Sequence, residues 1–174
     1  MDRIWAPWRM DYVGGPKSEG CIFCQAAQDP EAFGVLMEGE HGFVMLNAYP
    51  YNSGHALVVP YSHVPSVVGL SVEDLCGLMQ LAQATMTAME RCMHPGGFNL
   101  GINVGEVAGA GIPDHVHLHV VPRWQGDTNF MSVVADTRVV PEALQACAER
   151  LAPALADACL GLGLKTKAKE DAQP

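Results

Sequence analysis

Short apolar runs broken by turn residues organise the first third of the chain. Val35 to Glu38 and Phe43 to Asn47 read as the two strands of a hairpin around the turn Glu40-His41-Gly42. His55 to Tyr61 reads as a third strand, entered through the loop Tyr49-Pro50-Tyr51-Asn52-Ser53-Gly54. The period then changes. Leu75, Leu78, Met79, Ala82, Met86 and Met89 recur at helical spacing. Ser71 stands before them as an N-cap, and Glu73 and Asp74 place negative charge in the first turn, where the helix dipole favours it. This helix is expected to stop near His94-Pro95-Gly96-Gly97. Phe98 to Val104 follows as a fourth strand and Gly105 to Asp114 as a glycine-rich loop. His115 to Val121 alternates with period two and makes a fifth strand. Pro141, at an N1 position, starts a last helix reaching about Leu160.

Five strands, mostly sequence neighbours, with one long helix between the third and fourth, predict an α+β domain on an antiparallel sheet. Residues 1–20 read as an irregular arm anchored by Trp5, Trp8 and Tyr12, residues 21–161 as one domain, and residues 162–174 as a disordered tail. With 49% hydrophobic and 17% charged residues, the chain has the composition of a domain with a packed core. No apolar run approaches the roughly 20 residues that cross a bilayer. The first residues lack the apolar segment of a secretory signal, so a cytoplasmic location is expected. The net charge of −9, with ten unclustered Lys and Arg, excludes nucleic acid and anionic membrane as main partners. A small anionic ligand remains possible, held by backbone N–H groups, imidazoles and one or two arginines.

The segment His115-Val116-His117-Leu118-His119 carries the chemistry. On a strand its three histidines share one face, about 7 Å apart, and the apolar residues share the other. Three imidazoles on one face are hard to explain as packing, because each needs a hydrogen-bond partner when buried. The preceding loop, Gly105 to Gly111 with Gly109 between, brings bare backbone N–H groups close to a ligand. An unprotonated imidazole nitrogen attacks phosphorus well, provided an acceptor holds the other nitrogen. A neighbouring carbonyl serves for that, and a further histidine can protonate the leaving group. Arg123, the base just past the ladder, is placed either to pair with a phosphate or to sit in a salt bridge. Trp124 is placed to stack on a base or to cover a subunit interface. Cys21 and Cys24 form a C-x-x-C, a metal half-site whose remaining ligands could come from His41, His63, His94 or His115.

The H-x-H-x-H run, the Gly101-x-Asn103-x-Gly105 before it, and Asn47 with Gly54-His55 upstream resemble the histidine-triad superfamily. The arm Ile4 to Met10, Cys21-Ile22-Phe23-Cys24, Asp114 to Trp124, Gly126-Asp127 and Asn129-Phe130 resemble its bacterial diadenosine tetraphosphate phosphorylases. The resemblance implies a five-stranded antiparallel sheet with a long helix, usually dimerised. It implies that His117 is the nucleophile, with His119 and His55 as its catalytic partners. Asn47 then takes the ribose, and Asn103, with the loop glycines Gly109 and Gly111, the phosphates. It also completes the metal site as zinc on Cys21, Cys24, His63 and His115. Hydrolases of the superfamily carry a glutamine four residues before the first triad histidine, where this chain has Gly111. The expected reaction is therefore phosphorolysis of a dinucleoside polyphosphate, diadenosine tetraphosphate and phosphate giving ATP and ADP. Hydrolysis of dinucleoside polyphosphates or nucleoside phosphoramidates, and nucleotide binding without turnover, are the alternatives. The expected partners are a small nucleotide, phosphate and a second copy of the chain.

Overall fold

The computed structural model describes residues 20–127 and 142–167. The arm anchors Trp5, Trp8 and Tyr12, the motif residues Asn129 and Phe130, and the helix start at Pro141 lie outside the described residues. Eight elements carry the fold: α1 (Ile22–Gln28), β1 (Val35–Glu38), β2 (Gly42–Leu46), β3 (Ala56–Pro60), α2 (Val72–Met93), β4 (Gly97–Ile102), β5 (Leu118–Arg123) and α3 (Leu144–Gly161). The strands form one sheet in the order β1-β2-β3-β5-β4, and every neighbouring pair is antiparallel. The expected α+β architecture is the observed one. No described helix is long and apolar enough to cross a membrane.

Alternation along the strands divides the apolar residues between two cores. Leu36, Val44, Ala56, Val58, Leu118 and Val120 face α2 and α3 and form the larger one with Leu78, Ala82, Met89, Leu151 and Leu155. Val35, Phe43, Leu57 and Val59 face the other way and pack against Phe23 and Ala26 of α1. The helices thus cover one face of the sheet over β1, β2, β3 and β5, and leave Leu100 and Ile102 of β4 exposed. The short α1 covers the opposite face only over β1, β2 and β3.

α2 starts as its sequence predicts, with the Ser71 hydroxyl accepting the Asp74 N–H at 3.0 Å. It ends at His94, whose left-handed backbone (φ 49°) forms the C-cap. Its buried stripe is rotated from the expected one. Leu75 and Met79 are exposed, and Leu81, Ala84 and Ala88 are buried in their place. The reason is that α2 packs on both the sheet and α3, which selects small residues where the helices approach closely. β5 also differs. It begins at Leu118, three residues later than its alternation implies. β3 ends at Pro60, so the ladder to β5 stops at the pair Val58↔Leu118. Beyond it, Val116 N–H bonds Val64 O at 2.7 Å and the His115 ring bonds Pro60 O.

The tail expectation also changes at its first residues. Thr166 bridges Gly39, and Lys167 N–H donates to Glu38 O at 3.0 Å, so this stretch lies on the outer edge of β1. The Lys167 ammonium sits 4.3 Å from the centre of the Tyr61 ring.

Gly77 gives a test of the packing. A Cβ there would meet His41 Cβ at 2.6 Å, and His41 is held to Asp74 at 3.2 Å. Helix propensity alone favours Gly77→Ala by about 1 kcal/mol. The collision should reverse the sign, and denaturant unfolding should show a loss of about 1–3 kcal/mol.

Candidate active site

Cys21 is the N-cap of α1 and Cys24 lies in its first turn. His63 comes from the loop after β3, and His115 from the extended stretch before β5. Cys21 Sγ is 3.3 Å from His115 Nδ1, while Cys24 Sγ is 3.2 Å from His63 Nδ1 and 3.7 Å from His115 Nδ1. All four ligand atoms lie within 4.8 Å of one another. A tetrahedral zinc with bonds of about 2.3 Å to sulfur and 2.0 Å to nitrogen spaces its ligands about 3.3–3.8 Å apart. His115 Nε2 is 2.9 Å from Pro60 O and donates to it, which leaves the Nδ1 lone pair facing the sulfurs. Burial lowers the His115 pKa and favours the neutral ring a metal needs. Burial, and then the neighbouring Cys21 thiol, raise the Cys24 pKa, the opposite of the depressed thiolate in a redox pair. Donor set and spacing fit a closed four-ligand metal site. Of the other candidates, His41 is turned to Asp74 and His94 caps α2.

His117 follows directly. Its Nδ1 is 2.9 Å from the carbonyl of His115, which accepts the Nδ1 proton and leaves Nε2 with the lone pair. His117 is 5% exposed, and burial lowers its pKa. The ring is therefore neutral at neutral pH, the form in which imidazole is a nucleophile. Phe23, between the two cysteines, packs 4.9 Å from the His117 ring centre.

A second chain of bonds fixes His119. The Tyr51 N–H donates to His55 Nδ1 at 3.0 Å. A neutral His55 then carries its proton on Nε2, which lies 2.9 Å from His119 Nδ1. His119 in turn carries its proton on Nε2, the orientation of a donor. The His117 and His119 ring centres are 4.9 Å apart, closer than the spacing expected along a strand, because His117 lies before the ladder begins. Asn47 reaches the same group, with Nδ2 3.4 Å from His55 Nδ1. Its Oδ1 accepts the Tyr49 N–H at 2.9 Å.

The uncovered half of the sheet, over β4 and β5, forms a cleft of about 510 Å³. His119, Asn103, Gly109 and Arg123 line it. The loop N–H groups are less available than their glycines imply. Ala108 and Ala110 donate to Gly105 O, and Gly109 to Glu106 O, in a short 3-10 turn. Gly111 is exposed beyond that turn. Arg123 takes the salt-bridge alternative, with Nη2 donating to Asp127 Oδ1 at 2.8 Å and Nη1 to Asn99 Oδ1 at 2.7 Å. Trp124 does not line the cleft. It packs on the helix-side core and its Nε1 donates to Met93 O at 3.3 Å.

Sequence reasoning missed Phe23, Tyr51, Asn52, Asn99 and Asp127. Phe23 was legible as the apolar residue inside the C-x-x-C. Nothing local marks Asn99 or Asn52, because only the pairing of β4 with β5 and the bond from Asn52 Nδ2 to Asp127 at 2.9 Å bring them to the cleft.

Comparison with known proteins places this geometry in a family. The HIT domain model matches residues 31–126. An AP-4-A phosphorylase of Mycobacterium tuberculosis is 35% identical over 155 residues, which cover 83% of this chain and 80% of that protein. The structure of a Zn-bound histidine triad family protein from Mycobacterium smegmatis superposes with a TM-score of 0.68 at 28% identity, covering 83% of this chain and 99% of that one. A hypothetical histidine triad nucleotide-binding protein of Sulfolobus tokodaii shares the fold, with a TM-score of 0.67 at 22% identity over 82% of this chain and 97% of that one.

Metal analysis tests the Cys21, Cys24, His63, His115 cluster. About one zinc per chain is expected in protein kept from chelators, and Cys24→Ser or His63→Ala should lose it. Less than about 0.1 per chain would count against the site.

Proposed function

The chain belongs to the histidine-triad (HIT) family, and on that premise we propose that it is a nucleotidyl transferase that phosphorolyses dinucleoside polyphosphates. The observation that carries the reading is the bond from His117 Nδ1 to the His115 carbonyl at 2.9 Å, which presents a neutral ring with its lone pair on Nε2. His117 Nε2 attacks the α-phosphorus of diadenosine tetraphosphate, and the bond from that phosphorus to the bridging oxygen breaks. ATP leaves, its oxygen stabilised by the Nε2–H of His119, which His55 orients. An oxygen of orthophosphate then attacks the adenylyl phosphorus, the P–N bond breaks, and ADP leaves with His117 restored. Asn47 holds the ribose of the transferred half, and Asn103 and the 109–111 loop flank the phosphates. Gly111 offers no side-chain amide to orient water, which favours orthophosphate as acceptor over hydrolysis. The 35% identity to the AP-4-A phosphorylase supports the same substrate class.

A zinc on Cys21, Cys24, His63 and His115 would supply structure rather than chemistry, fixing the carbonyl that orients His117. The enzyme works as a homodimer on this reading. The exposed edge strand β4, with Leu100 and Ile102 each 38% accessible, supports that.

Product analysis tests the reaction. ATP and ADP should form from diadenosine tetraphosphate only when orthophosphate is present; ATP and AMP formed without it would make the protein a hydrolase. His117→Ala should lower turnover on the order of 10³-fold or more while nucleotide binding stays largely intact. Unchanged turnover would refute His117 as nucleophile. His119→Ala should cost about 10²–10⁴-fold in kcat.

A further inference from the structure

The cleft over β4 and β5 reaches beyond His119, Asn103 and Gly109, which the transfer step uses, and the chemistry of its outer wall is not that of a phosphate site. Its one arginine is engaged. Asp127 accepts from both Nε and Nη2 of Arg123, so that wall carries a balanced pair and no available positive charge. The same arginine orients Asn99. With Oδ1 accepting from Arg123, the Asn99 Nδ2 is left as a donor. The Tyr51 ring, held 4.7 Å from His55, adds an aromatic wall. Between them Gly101 opens the floor, since a Cβ there would have nothing within 4 Å.

An uncharged donor beside an aromatic ring, with no free charge on the wall, is the chemistry that recognises a base or its sugar. The volume of about 510 Å³ falls within the roughly 300–1,000 Å³ of small-molecule sites. Strand order decides which nucleoside belongs there. Asn47 follows β2, on one side of the histidines, and the cleft lies on the other side, over β4. We propose that this cleft binds the second nucleoside of a dinucleoside polyphosphate, the half that departs as a nucleoside polyphosphate. The inference rests on the transfer reading above.

The test compares diadenosine tetraphosphate with adenosine 5′-tetraphosphate, which has the same α-phosphorus and phosphate count but no second nucleoside. Initial rates with orthophosphate are measured for the full chain and for Asn99→Leu and Asn99→Ala, which both remove the donor from the outer wall. Asn99 pairs with Val121 rather than His119, so its variants leave the catalytic histidine's strand neighbour alone. The wild type should prefer the dinucleotide by at least about tenfold in kcat/KM. Both variants should erase most of that preference, through a raised KM for the dinucleotide, with adenosine tetraphosphate changed by no more than about twofold. Equal use of the two substrates by the wild type overturns the proposal, as does an equal loss on both substrates in the two variants. If the wild type consumes neither substrate, the transfer reading itself fails and this inference falls with it.

Discussion

One residue holds two things in register. The ring of His115 is fixed between Pro60 O and the cysteine sulfurs, and its own carbonyl accepts the proton of His117. Ring and carbonyl belong to one residue, so fixing the ring restricts the torsions that link it to the carbonyl and helps to aim the neighbouring imidazole. The cluster with Cys21, Cys24 and His63 therefore acts on the candidate nucleophile through a single peptide unit, without touching it. The same cysteines anchor α1, which lays Phe23 over His117. The β3–β5 ladder has already ended here, and the bonds of Val116 N–H to Val64 O and of the His115 ring to Pro60 O hold the stretch in place.

The unequal covering of the sheet then decides where a ligand can lie. α2 and α3 bury one face over β1, β2, β3 and β5. α1 is only seven residues long and buries the other face over β1, β2 and β3. The boundary runs beside the histidines. His117 lies under the edge of the covered half, and His119 faces the open one. A desolvated, neutral imidazole thus sits next to a second imidazole at the margin of the open half.

Much of this was legible in the chain. The period-two histidines, the C-x-x-C, the Ser71 cap and the five-strand, one-long-helix order each follow from local rules, and the structure brings the named ligand residues within 4.8 Å. What escaped depends on contacts across the fold. β5 starts late because its partner ends at a proline. The buried stripe of α2 is set by two neighbours rather than one. Arg123 is engaged by Asp127, four residues on, so its charge is not on offer, and the loop glycines bond their own turn. Tyr51, Asn52 and Asn99 carry no motif, and only tertiary pairing brings them to the cleft.

The two margins of the sheet are finished differently. At β1 the chain's own C-terminal stretch bonds Glu38 and Gly39, and brings Lys165 and Lys167 to that margin beside Glu40 and Glu38. At β4 the margin carries Leu100 and Ile102, half-open to solvent. An incoming strand would therefore meet a free edge at β4 and an occupied one at β1, where the 165–167 stretch already takes the backbone bonds and adds two ammonium groups.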